Sequence, residues 1–289
     1  MSGGRWSQKV YEQLTSIFLN MSLWEPVQTI MASAKEIKEA VKERYTAIAE
    51  SKSCGCGCGC GSEESGCCGG GDPRQAAELI GYNVEELEDI PEEAMLGLGC
   101  GSPVAHVGLK PGETVLDLGS GGGIDVFLAA KKVGAKGRVI GVDMNETMIK
   151  RAGEAAEEYG FENVEFRLGE IEELPVEDGT IDAIISNCVI NLSPDKPRVF
   201  REAHRVLKPG GRITVSDIVT EGRIPEEIRR DLDSWASCVA GALPQEEYLK
   251  HIEAAGFNKS KILVESTYDT SEYDIGFKVK SVTVEAYKP

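Results

Sequence analysis

The chain has 289 residues, 41% of them hydrophobic, with a formal net charge of −17 and nine cysteines. That length admits one large domain or two small ones, and so acidic a surface argues against nucleic acid and anionic membrane as partners, because phosphate is bound by clustered lysine and arginine. No stretch reaches the ~18 apolar residues of a membrane span and no signal-peptide pattern follows Arg5 and Lys9, so the expected compartment is the cytoplasm, where structural disulfides are rare and the thiols call for metal, catalytic or incidental roles.

Residues 1–35 are mildly amphipathic and are expected to form an accessory helix or two, broken near Pro26. A clear helix follows in "AKEIKEAVKERYTAIAE", where Ile37, Val41, Tyr45 and Ile48 recur at steps of three and four and mark one face. The stretch "SKSCGCGCGCGSEESGCCGGG" is too rich in glycine for regular structure. It carries Cys54, Cys56, Cys58 and Cys60 alternating with glycine, then the adjacent pair Cys67 and Cys68. The alternating run reads as a solvated arm with metallothionein-like chelating capacity.

From residue 105 onward short apolar strands alternate with helical segments. The strands are "TVLDLG", "RVIGVD", "VEFRLG", "IDAIISNCV" and "GRITVSDIV"; the helices are "GIDVFLAAKKVG", "ETMIKRAGEAAEEYG" and "KPRVFREAHRVLKPG". Such alternation predicts βαβ units in a parallel sheet covered on both faces. Two further helices are predicted over about 225–243 and 245–255. Two final strands, "KILVES" and "SVTVEAYK", lack a crossover helix and predict an antiparallel edge.

The strongest short signal is "VLDLGSGGGID". Gly119, Gly121 and Gly123 stand between a strand and a helix, where absent side chains let a ligand approach the backbone. The next strand ends in Asp143, placed for two ribose hydroxyls, and the third is followed by Glu170 and Ile171, placed to border an adenine. Ile124 breaks the dinucleotide pattern G-x-G-x-x-G, and the acidic Asp117 beside the loop suits a cationic amino-acid end better than a pyrophosphate.

With "VLDLGSGGG", "GVD", "LPVEDGTIDAIISN" and "RVLKPGGRI" together, residues 103–220 resemble the class I S-adenosylmethionine-dependent methyltransferases. The resemblance implies a Rossmann-like, doubly wound, mostly parallel α/β sheet, with an N-terminal helical and loop segment (1–102), the cofactor-binding domain (103–220) and a smaller C-terminal α+β cap (221–289). It implies that Asp117 and Gly119 face the methionine part, that Asp143 binds the ribose, that Glu170 and Ile171 flank adenine and that Asn187 sits near the sulfonium. Ser120, Gly121, Met144 and Gly169 complete the implied cofactor set.

Oxygen and nitrogen acceptors usually require a tuned general base. His204 lies mid-helix and reads as structural, while His106 and His251 have no supporting motif. Cysteines are better placed: Cys188 follows Asn187 at a strand end, Cys238 lies in "SWASCVAGALP" and Cys100 in "GLGCGSP". Their spacing is unlike a zinc ribbon, but convergent thiolates would select a soft, thiophilic ion.

These pieces, with "EAVKERYTAIAE", "CC", "SNCVINLSPDKPRVFREAHRVLKPGGR" and "SCVAGALPQEEYLKHIEAAGF", resemble the arsenite methyltransferases over about residues 38–260. The resemblance implies trivalent arsenic held by Cys100, Cys188 and Cys238, with Cys67 or Cys68 as the fourth thiol, and methyl transfer from S-adenosylmethionine as detoxification. It also implies a thiol co-substrate, glutathione or a thioredoxin system. Two other readings are a methyltransferase acting on a quinone-like carbon, which would not need these cysteines, and a non-catalytic metal sensor, which would not need an intact cofactor loop.

Overall fold

The computed structural model describes residues 32–50, 73–268 and 277–289. The expected helices of residues 1–31, the Cys54–Cys60 run and the Cys67–Cys68 pair lie outside the described residues. Helix α1 (Ala34–Glu50) matches the expected helix and buries Ile37 and Val41. A second helix, α2 (Pro73–Ile80), leads toward the sheet.

The βαβ region follows the expected order: β1 (Thr114–Leu118), α3 (Ile124–Val133), β2 (Arg138–Asp143), α4 (Glu146–Glu158), β3 (Val164–Leu168), β4 (Ile181–Asn187), α5 (Lys196–Val206) and β5 (Leu207–Glu221). Helix α6 (Gln245–Ala254) and strands β6 (Asn258–Thr267) and β7 (Lys278–Tyr287) complete the chain. The strand order is β3-β2-β1-β4-β5-β7-β6, with the two-residue strand Leu243–Pro244 beside β5. The first five strands pair in parallel, whereas β7 runs antiparallel to both β5 and β6, as the missing crossover predicts. One sheet therefore runs through both sides of the division expected at residue 220.

Local chemistry sets the helix starts. The Asn145 side chain accepts hydrogen bonds from Thr147 N and Met148 N at the start of α4, and Asp195 accepts from Arg198 N at α5. Apolar side chains from α3 and α4 cover one face of the sheet, and those of α5 and α6 cover the other. His204 packs edge-on against Phe257, with ring centroids 5.3 Å apart, in keeping with its expected structural role.

One expected element differs. In place of a helix over 225–243 there are two short helices, Glu226–Arg230 and Leu232–Ala236. Asp231 between them is extended (ψ 118°), and its carboxylate caps the second helix through Ser234 N. The chain then turns at Cys238 (φ +64°) and passes so close to the 190s that a Cβ at Gly241 would lie 1.9 Å from Asn191 O. Helical periodicity yields here to a cap and a tertiary contact.

Candidate functional site

The carboxyl ends of β1, β2 and β4 open into one cleft, roofed by α1 through Lys38, Val41 and Tyr45. Ligands of open α/β sheets bind at this edge. The loop after β1 is shaped by its glycines: Gly119 has φ +67°, and a Cβ there would lie 2.4 Å from a Val189 methyl. Gly119 N and Ser120 N both donate to Val142 O, at 2.7 and 3.0 Å, while the Cβ direction of Gly121 is open.

At the end of β2, Asp143 is fixed by two backbone donors: Gly121 N to Oδ2 at 2.9 Å and Asn145 N to Oδ1 at 2.8 Å. Burial pushes its carboxyl up, and these amides pull it back toward the ionised form. Asp117 and Asp125, each 3% exposed, line the same cleft. Burial, and then the charge of Asp125, raises Asp117 well above the ordinary carboxylate range, and burial raises Asp125 to about 6.

Of the expected cofactor residues, Asp117, Gly119, Ser120, Gly121, Asp143, Met144, Gly169, Ile171 and Asn187 all line this cleft. Glu170 does not; its half-exposed side chain meets Lys38 Nζ at 2.8 Å, and its neighbour Glu172 lines the cleft instead. Tyr82 and Asp125 were not singled out from sequence, and the α1 face with Val41 and Tyr45 was read as helical packing without a part in the site. Asp125 stands within the recognised loop motif, but Tyr82 and α1 reach the site only through tertiary packing. The residues fit a nucleoside with a cationic amino-acid end: a strand-end carboxylate, an open glycine, two buried carboxylates, and the buried atoms Ser120 Oγ and Asp125 Oδ1 with no hydrogen-bond partner.

The three isolated cysteines converge beside that cleft, within an apolar cluster that includes Trp235, Tyr268 and Phe277. Cys188 directly follows β4 and lines the cleft. Its backbone is left-handed (φ +58°), and its N–H donates to Ser216 O at 2.8 Å. Cys238 donates its thiol to Cys188 O at 3.0 Å. Cys100, 1% exposed, is held at its N–H by Asn187 Oδ1 (3.0 Å) and at its carbonyl by Ser281 Oγ (2.5 Å). The Cys100 and Cys188 sulfurs and an Asp217 carboxylate oxygen lie within 4.8 Å of one another.

Cys188 and Cys238 are two of three non-glycine residues with positive φ among the described residues, a conformation costing on the order of 1–2 kcal/mol each. The fold holds both against that cost with their two thiols in contact.

All three thiols are held above the ordinary thiol range. Burial is the main cause at Cys100, contact with the Cys100 sulfur at Cys188, and contact with the Cys188 sulfur at Cys238. The Tyr45 hydroxyl also meets Cys238. Behind the thiols, the buried Lys196 ammonium donates to Asn191 O (3.2 Å) and Ser193 O (2.9 Å) and sits 5.3 Å from the centre of the Trp235 ring. It thereby ties the segment after Cys188 to the helix before Cys238. No histidine lines the cleft.

Residues 109–256 match the family model of a methyltransferase domain. The chain is 45% identical over 263 residues to an arsenite methyltransferase of Halobacterium salinarum, covering 88% of this chain and 67% of the relative. It is 40% identical over 184 residues to the human arsenite methyltransferase, covering 60% of this chain and 48% of that protein; it thus spans about half the human relative's length. The crystal structure of an arsenic(III) S-adenosylmethionine methyltransferase from Chlamydomonas reinhardtii superposes with a TM-score of 0.62 at 36% identity, covering 75% of this chain and 74% of that one.

Proposed function

Since the chain belongs to the arsenite methyltransferases, enzymes that use S-adenosylmethionine, we propose that Cys100, Cys188 and Cys238 bind trivalent arsenic as three sulfur ligands and present it to a methyl donor in the adjoining cleft. The observation that carries this reading is the position of Cys188, which belongs to both places at once: it lines the donor cleft and touches the other two thiols. Asp143 would take the ribose hydroxyls, Ile171 would border adenine, and Asp117 would face the amino-acid end. Residues 103–220 would serve as the donor domain and 221–289 as the cap that supplies Cys238.

Raised thiol pKa values suit this chemistry. Arsenite is a neutral hydroxide, As(OH)3, so each Cys S–H that forms an As–S bond releases its proton with one hydroxyl as water; three thiols give three waters and a neutral complex. No free thiolate has to be stored in an apolar site, where it would be costly. Arsenic so bound keeps its lone pair, and S-adenosylmethionine supplies the electrophilic methyl group that this pair takes. The acceptor therefore needs no general base, consistent with a cleft without histidine. What the chain contributes is placement and exclusion of water, worth roughly 7–11 kcal/mol in well-aligned cases.

Methyl transfer uses the arsenic lone pair and leaves arsenic two oxidation levels higher. Two thiols passing to a disulfide restore it, which gives a place to Cys67 or Cys68 and to glutathione or thioredoxin as co-substrate, in a cytoplasmic setting. No helix among the described residues is long and apolar enough to cross a membrane.

The test is to incubate the chain with arsenite, a thiol and methyl-labelled S-adenosylmethionine and then to separate the arsenic species. Label is expected in methylated arsenic. Donor binding with no label in any arsenic species would refute the reading.

A further inference from the structure

Asp125 is the second residue of α3, 3% exposed, and faces the donor cleft. Its Oδ2 accepts from Tyr82 Oη at 2.8 Å and from Asn187 Nδ2 at 3.3 Å. Its Oδ1 is buried and has no hydrogen-bond partner within the protein, an acceptor that a ligand group, an ion or a water can complete. Asp117, also buried, is near enough that the two carboxylates repel each other. A cation entering the cleft would meet an unfilled acceptor and relieve that repulsion together.

The same carboxylate is connected to the thiol site. Asn187 Nδ2 lies 2.8 Å from the Tyr82 oxygen and 2.7 Å from Gly101 O, and Asn187 Oδ1 accepts from Cys100 N at 3.0 Å. Asn187 thus grips the Cys100 turn on both sides. The fit is tight, since a Cβ at Gly99 would lie 2.9 Å from Asn187 Nδ2. A close-packed junction joined by these hydrogen bonds transmits a shift at Asp125 to the Cys100 turn.

We propose that Asp125 receives the α-ammonium of the methyl donor's amino-acid end, and that the Tyr82–Asp125–Asn187 network passes this occupancy to Cys100, so that a bound donor tightens the thiol site for trivalent arsenic. This rests on the reading of the thiols given above. By linkage, arsenic tightens the donor by the same factor. The device makes empty sites unproductive: arsenic is gripped most firmly when a methyl donor is in place.

The test compares two nucleosides on the full chain by calorimetry. S-adenosylhomocysteine carries the ammonium, and methylthioadenosine has the same adenosine and sulfur without the amino-acid end. Asp125→Asn is expected to weaken S-adenosylhomocysteine about 30-fold and to leave methylthioadenosine within about twofold, as loss of one buried charge-assisted contact requires. Arsenite is then titrated with and without saturating S-adenosylhomocysteine, subtracting the Cys188→Ser titration to remove binding elsewhere. A tightening of about tenfold is expected in the parent chain, falling below about twofold in Asp125→Asn and Tyr82→Phe.

Equal weakening of both nucleosides by Asp125→Asn would overturn the ammonium assignment. Coupling that persists in both variants, or is absent from the parent chain, would overturn the relay. If Cys188-dependent arsenite binding is missing altogether, the arsenic reading and the relay fall together, while the nucleoside comparison still decides the ammonium assignment.

Discussion

Replacing Asp143 with alanine tests the donor cleft at one atom pair. Each carboxylate oxygen already accepts one backbone amide, Gly121 N at 2.9 Å and Asn145 N at 2.8 Å, which leaves one lone-pair direction on each for a ribose hydroxyl. A hydrogen bond to a charged acceptor contributes about 1.5–3 kcal/mol, and burial, which raises this carboxyl, offsets part of the sum. A net loss of about 3 kcal/mol, or roughly 150-fold in affinity, is expected for Asp143→Ala. Asp143→Asn keeps one acceptor and should lose about tenfold. Calorimetric titration with S-adenosylhomocysteine measures both. A change below about threefold in Asp143→Ala would mean that the ribose is held elsewhere and that the strand-end argument is wrong.

Three further outcomes are expected. Cys188→Ser and Cys238→Ser should each abolish arsenite methylation while leaving S-adenosylhomocysteine affinity within about twofold, because hydroxyls bind soft arsenic poorly and neither sulfur is required by the nucleoside; normal turnover in either would refute the thiol site. Deleting residues 54–61 should leave turnover of thiol-complexed arsenite nearly intact, and complete loss would make the alternating cysteine run catalytic. Finally, Glu113 is half-buried, and although burial pushes its carboxyl up, Arg212 pulls it below the ordinary value. Its folded pKa lies below its unfolded one, so its stabilisation is present above about pH 4.5 and is lost as pH falls through the lower folded value. Glu113→Gln should therefore cost about 1–2 kcal/mol at neutral pH, with the difference in denaturant midpoint shrinking below pH 4.5; a difference independent of pH would refute the ion-pair account.

What the sequence discloses follows the range of the interactions. Helix α1 was legible to the residue because its apolar spacing is local, and β1, β2 and β4 were legible because buried parallel strands are apolar throughout. The antiparallel edge could be inferred from what was missing, a crossover helix between β6 and β7. The segment 225–243 misled because its periodicity is helical, while Asp231 as a cap and the approach of Gly241 to Asn191 decide otherwise. In the site, Asp143 and the glycine loop could be read from their place at strand ends. Asp125 stands in the first turn of a helix, where an acidic residue is commonplace, and Tyr82, more than 40 residues away in sequence, gives no local signal. Glu170 and Glu172 lie two residues apart in one short loop and both pair with Lys38, at 2.8 and 3.2 Å, but only the buried Glu172 lines the cleft. The three isolated cysteines shared no spacing rule; resemblance grouped them, and the turns at Cys188 and Cys238, both strained, are the physical means by which the fold gathers them.

Arsenic held for methylation by Cys100, Cys188 and Cys238, and not by the glycine-rich arm, would be surrounded by these three sulfurs. Arsenic X-ray absorption on the full chain carrying one equivalent of arsenite tests this most directly. Three sulfurs and no oxygen are expected around arsenic in the parent chain, and two sulfurs with one oxygen in Cys188→Ser. An unchanged spectrum in Cys188→Ser would place the arsenic on other thiols and contradict the account.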